Sequence, residues 1–353
     1  MKIAIDCRFI GKSGIGTYIE NVVNELLKNH AENEYLFIKE KGVDIGDLGN
    51  NSVFETYIKP FSLKELFRFP VSDINKCDVY ISPYINIPGG IRIPIYSTIH
   101  DVIFLDVPGL TSYLGQMIRK WYIRRAIQKS KKIFTVSKFS KERIKYHFDT
   151  NKPIIIANNF ISNSLREYTL KHEIRRVKDD YIIFVGNIKK HKGLKVLLEA
   201  YDKAITEGFE KFLYIVGNAD KFRTADNEIE KWVNNNPKIR FTGYVTNDKL
   251  YELISKADAL VLPTFYEGYG IPPMEALYLG TDAIVSNIEV LKEVYSDLPV
   301  TYFNVGNAED LKENLLNHHS KITDVEALRK KIDNLYNKVD ITNKILSEIE
   351  NNL

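Results

Sequence analysis

Apolar residues recur along this chain in two alternating modes, short unbroken runs and longer stretches with apolar positions three and four apart. Residues 2–6 form the first run and predict a strand; a turn containing Gly14 and Gly16 follows. Ile19, Val22, Val23, Leu26 and Leu27 then predict a helix over residues 17–28. Further runs at 35–38, 53–58, 79–82, 95–100, 133–136 and 153–157 predict strands, and residues 63–74 and 112–129 predict helices. The 112–129 helix puts Leu114, Met117, Ile118, Trp121, Tyr122, Ala126 and Ile127 on or near one face and Arg119, Lys120, Arg124, Arg125 and Lys129 on much of the rest. Ser137 is placed to cap the helix after it. A second series repeats the scheme, with strands at 181–185, 212–217, 239–243 and 259–263 and helices at 191–204, 226–235 and 248–257. Strands alternating with helices specify an α/β chain with parallel, doubly wound sheets. The polar, charged stretch between the two series predicts a linker over residues 166–180, between a domain at 1–165 and one at 181–335. The two series look like two similar folds joined in the middle, whose strand-end glycines face each other across a cleft.

Composition fits that reading. At 353 residues, 44% hydrophobic and 27% charged, the chain is long enough for two cores of ordinary globular make-up. Its two cysteines, Cys7 and Cys77, exclude a disulfide framework and fit a reducing compartment. No run approaches a membrane span, and residues 1–6 pass directly into a strand, so a cytoplasmic location is expected. Charge is divided unequally. Residues 1–165 carry 23 Lys and Arg against 16 Asp and Glu, a net +7, whereas the remainder is −4. The first half therefore suits an anionic partner such as nucleic acid, anionic lipid or a phosphorylated substrate.

Candidate chemistry concentrates in residues 264–287. Glu267 and Glu275 flank a turn of Gly268, Tyr269 and Gly270, and Pro272 stands in the first turn of a helix. A glycine-rich strand-to-helix turn offers backbone N–H groups and a positive helix end to phosphate oxygens. A carboxylate in that helix is suited to accept from vicinal hydroxyls.

Four segments together resemble glycosyltransferase family 4: GIGTYIENVVNELL, THDV with FTVSKFSKERI, FVGNIKKHKGLKVLLEAY, and EGYGIPPMEALYLGT with SNIEVLKEV. The resemblance implies the glycosyltransferase-B (GT-B) architecture, two Rossmann-like domains facing a central cleft, with the helix at 336–353 crossing back to the first domain. It implies donor contacts from Gly14, Gly16, Gly186, Asn187, Lys189, Lys192, Glu267, Gly268, Tyr269, Gly270, Ile271 and Glu275. Glu275 would hold the nucleotide ribose and Glu267 the transferred sugar. Lys192 would neutralise the pyrophosphate, and His100 would lie beside the sugar, so that His100, Lys192 and Glu267 form the catalytic set.

The partners so implied are a nucleotide-sugar donor and a glycan or lipid-pyrophosphate-linked glycan acceptor in surface-polysaccharide synthesis, with no nucleic acid. The sugar is a hexose or deoxyhexose, mannose- or rhamnose-like, moved with retention. No cofactor or metal is expected, and the sequence contains no Asp-x-Asp pair. The helix bearing Arg119, Lys120, Trp121, Arg124 and Arg125 is a candidate contact with an anionic membrane at the inner face of the plasma membrane. Two departures stand out. Asn187 occupies the family's usual arginine position, leaving Lys189 or Lys190 to compensate, and the family's Asn-Gly pair near residue 159 is absent. The alternatives are a catalytically silent nucleotide-binding scaffold and a nicotinamide-dependent dehydrogenase. The dehydrogenase would require a complete glycine fingerprint, which neither turn supplies.

Overall fold

The computed structural model describes residues 1–174, 177–217, 232 and 236–351. It divides into two compact units. Met1–Phe160 and Tyr336–Leu353 make up unit 1, and Ile161–Leu335 make up unit 2.

In unit 1 the chain runs β1 (Lys2–Asp6), α1 (Ser13–Asn29), β2 (Glu34–Glu40), β3 (Ser52–Thr56), α2 (Leu63–Arg68) and β4 (Val79–Ser82). It continues through β5 (Ile95–Thr98), α3 (Ile103–Asp106), α4 (Tyr113–Lys129), β6 (Lys132–Thr135), α5 (Lys138–His147) and β7 (Ile154–Ile156). The seven strands pair in parallel in the order β3-β2-β1-β4-β5-β6-β7. Connections change direction between β1 and β4, and in such sheets ligands bind beyond the carboxyl ends of the strands at that switch point.

Unit 2 comprises α6 (Asn163–Lys171), β8 (Tyr181–Val185), α7 (Leu194–Thr206), β9 (Phe212–Val216), β10 (Ile239–Gly243), α8 (Asn247–Lys256) and β11 (Ala259–Leu262). There follow α9 (Ile271–Tyr278), β12 (Asp282–Ser286), α10 (Glu289–Val294), β13 (Thr301–Phe303), α11 (Ala308–Leu316) and α12 (Val325–Leu335). The sheet order is β10-β9-β8-β11-β12-β13, again parallel, with its switch point between β8 and β11. Buried Ile182, Phe184, Leu197, Leu198, Ile215 and Val261 pack its strands against α7. A last helix, α13 (Lys338–Glu350), belongs to unit 1, where Ile341, Ile345, Leu346 and Ile349 join the core formed by β1 and α1.

Several elements differ from the pattern-based reading. Helix α1 starts at Ser13, so Gly14 and Gly16 lie inside its first turns and not in a preceding loop. Pro70 cuts the predicted 63–74 helix back to Arg68, because the residue before a proline is driven out of the helical region and Phe69 is extended. The linker reading of residues 166–180 is corrected as well. Asn163–Lys171 is helix, capped by the Ser162 hydroxyl accepting from the Leu165 N–H, and it buries Leu165 and Tyr168 beneath its charged face. In α4 the apolar positions do not share one face. Tyr122, Ile123, Ala126 and Ile127 are buried, while Leu114, Met117, Ile118 and Trp121 are exposed. The predicted 191–204 helix begins at Leu194, after a tight turn over Lys190–Lys192. The predicted helix at 226–235 lies outside the described residues, apart from Trp232.

Candidate functional site

In unit 2 the loops after β8 and β11 emerge side by side at the switch point, and they are fastened to each other. Gly193 is left-handed (φ 68°), and a Cβ there would stand 1.8 Å from the Pro263 carbonyl oxygen. Only glycine allows this approach. The His191 carbonyl accepts from the Phe265 N–H at 2.7 Å, and the Thr264 hydroxyl lies 2.9 Å from the carbonyls of His191 and Tyr266. This lock brings Lys192 Nζ to 2.6 Å from Glu267 Oε1, an ion pair with both side chains mostly shielded. Asn187, Lys189 and Lys190 are exposed residues of the same loop. Gly186 packs on the end of β9, where a Cβ on Gly217 would sit 2.2 Å from the Gly186 carbonyl.

Gly270 (φ 84°) caps α9, held from below by Tyr295, whose hydroxyl donates to the Gly270 carbonyl and accepts from the Met274 N–H. Pro272 and Pro273 have no N–H, so the helix end offers fewer donors than a glycine-rich turn suggests. Among the described residues the N–H groups of Gly270 and Ile271 stay without a partner. Tyr269 is buried. Glu275, one turn into α9, is only partly exposed and has no hydrogen-bond or ion-pair partner among the described residues. Burial pushes its carboxyl up to about 7.

In unit 1, His100 follows β5 and is buried. Its Nε2 lies 2.9 Å from the Pro83 carbonyl, and its ring packs edge-on to Tyr18 with centroids 4.8 Å apart. A carbonyl only accepts, so Nε2 carries the hydrogen and Nδ1 is left as an acceptor. Burial lowers the imidazole to about 4, which keeps it neutral near pH 7. Gly16 is needed by the fold itself, since a Cβ would stand 2.4 Å from the Phe9 carbonyl, whereas space around Gly14 is open.

Beside this loop lies a charged knot with no signature in the sequence. Arg8, fully buried, donates to both Asp6 oxygens (2.9 and 2.5 Å), to Glu65 (2.5 Å) and to the Ile58 carbonyl. Tyr80 and Asn86 add hydrogen bonds to Asp6. Burial raises Asp6, but the Arg8 charge and hydrogen bonds outweigh it and hold the carboxyl below its ordinary value. At Glu65 burial prevails and the shift is upward. The other unforeseen site features are His191, Gly193 and Tyr295; the HKG triplet before α7 was the available signal for the first two. Among the described residues no cluster of His, Cys, Asp or Glu stands where it would hold a metal.

Comparison with known proteins bears on this geometry. Residues 167–338, just under half of the chain, match the family model described as "Glycosyl transferases group 1". An uncharacterised glycosyltransferase of Methanocaldococcus jannaschii is 30% identical over 63% of this chain and 59% of its own. The O-antigen chain mannosyltransferase RfbU of Salmonella typhimurium is 28% identical over 57% of this chain and 54% of its own. The chain thus spans less than two thirds of the length of these curated relatives. Among solved structures, Anabaena HepE in complex with UDP and glucose superposes with a TM-score of 0.72 at 14% identity, covering 99% of this chain and 100% of that one. Sucrose-phosphate synthase from Thermosynechococcus elongatus gives 0.69 at 15%, covering 99% and 98%. The fold is GT-B. Both Rossmann-like units carry the strand orders that this architecture requires, and the family match falls on the unit holding Lys192, Glu267 and Glu275.

Proposed function

We propose that the chain is a glycosyltransferase of family 4 type. It moves a hexosyl or deoxyhexosyl group, mannose- or rhamnose-like, from a nucleotide diphosphate to a hydroxyl of a glycan or lipid-pyrophosphate-linked glycan. Retention, metal independence and a cytoplasmic place in surface-polysaccharide synthesis belong to the same proposal. The observation that carries it is Glu275, a half-buried carboxylate with no hydrogen-bond or ion-pair partner among the described residues, on the helix that follows the switch-point loop. A half-buried carboxylate that no protein donor occupies is open to donors from a ligand, and the vicinal hydroxyls of a ribose supply them.

The remaining roles follow from the local chemistry. The unpaired N–H groups of Gly270 and Ile271 suit phosphate oxygens. Lys192, oriented by Glu267, meets the charge that develops on the leaving diphosphate, while Glu267 accepts from the sugar. Lys189 and Lys190 supply the cationic charge that Asn187 does not. In the step itself the anomeric carbon–oxygen bond to the diphosphate breaks and the acceptor oxygen bonds to that carbon on the same face. The acceptor proton passes to the departing phosphate oxygen. His100, neutral and held by Pro83, contributes an acceptor at Nδ1 and does not transfer a proton. The O-antigen mannosyltransferase relatives favour the sugar and pathway class, and HepE, whose structure contains UDP, favours the donor class.

Mass spectrometry of products from a panel of GDP-, UDP- and dTDP-sugars with lipid extract tests this reading, alongside thermal shift with the free diphosphates. Lys192→Ala is expected to slow transfer and donor hydrolysis together, by at least about tenfold for one lost charge contact. Diphosphate binding without turnover of any donor would make the chain a silent scaffold. No diphosphate binding at all would overturn the proposal.

A further inference from the structure

At the carboxyl edge of the unit 2 sheet an aromatic ring stands exposed two residues before Glu267. Phe265 is 45% exposed, although its backbone is pinned by the N–H that donates to the His191 carbonyl at 2.7 Å. Thr264 and Tyr266, on either side of it, are buried. The ring reaches toward the loop that follows β13. A Cβ on Gly306 would stand 3.0 Å from Phe265 Cε1 and 3.6 Å from Cζ, so only glycine leaves the ring its place.

That loop is itself fixed. Gly306 (φ 76°) is the third residue of a β-turn closed by the Asn307 N–H on the Asn304 carbonyl at 2.9 Å. The Asn304 N–H donates to Asp310 at 2.6 Å, and the Val305 N–H donates to Asn287 Oδ1 at 3.0 Å. Asn287 Nδ2 in turn donates to Asn304 Oδ1 at 2.9 Å. Val305, at the second position of the turn, is 41% exposed. Phe265 and Val305 thus come from loops 40 positions apart to make one small apolar ledge on a rigid base.

Two polar groups border the ledge. Among the described residues Glu267 Oε2 and Asn304 Nδ2 have no partner, because Lys192 takes Glu267 Oε1 and Asn287 takes Asn304 Oδ1. An aromatic face flanked by one acceptor and one donor suits a ligand with an apolar C–H face and hydroxyls around its rim, which describes a pyranose ring. Strand order separates this place from the phosphates. Lys192 and the N–H groups of Gly270 and Ile271 belong to the loops after β8 and β11, whereas the ledge runs from the β11 loop to the β13 loop, away from β8.

We infer that Phe265, with Val305 and Asn304, binds the pyranose ring that bears the accepting hydroxyl. Unit 2 then supplies part of the acceptor site as well as the donor site. This rests on the transferase reading given above.

Saturation-transfer NMR of the whole chain with methyl α-mannopyranoside or methyl α-rhamnopyranoside, in the presence of UDP or GDP, tests it. Transfer to the ring C–H protons of one face is expected, lost in Phe265→Ala and kept in Phe265→Trp. Glycerol, which has hydroxyls but no ring, is expected to show none. In turnover assays Phe265→Ala is expected to raise the KM for the glycoside about 2–12-fold, the size of one aromatic contact, with kcat and the donor KM unmoved. Val305→Ser should act in the same direction and by less. The thermal shift with UDP or GDP is expected to be equal in Phe265→Ala and the unaltered chain, so a failure at the donor site is read separately. No glycoside signal that depends on Phe265 would overturn the inference. A donor KM raised by Phe265→Ala, with the glycoside KM unmoved, would give the ledge to the transferred sugar and overturn it too.

Discussion

Replacing Glu275 with Gln keeps the shape of the side chain and removes its charge, and stability and binding should then move in opposite directions. Burial lifts this carboxyl from an ordinary 4.5 to about 7. The folded state therefore holds the proton more tightly than the unfolded chain does. The side chain's contribution to stability is fully present below pH 4.5 and is lost as pH rises through about 7, at a cost of about 3 kcal/mol in the ionised state. Glu275→Gln is expected to match the unaltered protein at pH 4 and to exceed it by up to about 3 kcal/mol at pH 8, roughly 6–12 °C in melting temperature for a unit of this size. Binding should fall. A lost hydrogen bond to a charged acceptor costs about 1.5–3 kcal/mol, or roughly 10–150-fold in Kd for a nucleotide diphosphate. Because the ligand favours the ionised carboxylate, the unaltered protein should also bind more weakly below pH 7, and the variant should lose that dependence. Scanning calorimetry from pH 4 to 8, with and without ligand, reads all of this. Equal stability of the two proteins at pH 8 would refute the burial argument, and undiminished ligand affinity would refute the binding role.

Two further outcomes test the scaffold of the site. Gly193→Ala would force a Cβ against the Pro263 carbonyl at a left-handed position, so a loss of more than about 2 kcal/mol in urea unfolding and a raised KM for the donor are expected. A variant within about 0.5 kcal/mol of the original would contradict the close packing of the two loops. Arg8→Met strands Asp6 and Glu65 in the core, and a loss of about 3–5 kcal/mol from unit 1 is expected by calorimetry. Part of that loss should return as the pH falls and the carboxyls take up protons.

Much of this architecture was legible because parallel strands buried on both faces read as unbroken apolar runs, as in residues 181–185 and 259–262. Helix ends were less legible. The α1 pattern pointed to a start at residue 17, since Gly14 and Gly16 read as a turn, but packing against Phe9 carries the helix back to Ser13. The polar stretch after residue 165 hid a helix because only Leu165 and Tyr168 are buried in it. The two glutamates of the 264–287 stretch were visible as residue types at a strand-to-helix turn. Their different circumstances, one paired with Lys192 and one alone, arise from contacts 75 residues apart in sequence and from burial, which spacing does not encode. The Asp6–Arg8–Glu65 knot was invisible for the same reason, because Glu65 reaches it from 57 positions away.

The placement of α13 bears on how the protein is made. Residues 161–335 contain every strand and helix of unit 2, so the core of that unit comes from one continuous stretch of chain. Unit 1, begun first, lacks one wall until residues 338–350 follow. Only then does Ile349 accept from the Tyr96 hydroxyl, 253 positions upstream, and Lys338 reach Glu25. Until then the side of α1 that faces α13 is uncovered. The core of unit 2 is thus drawn from one continuous stretch of chain and that of unit 1 from both sides of it, so a chain cut between 335 and 338 would keep every element of unit 2 while leaving unit 1 open.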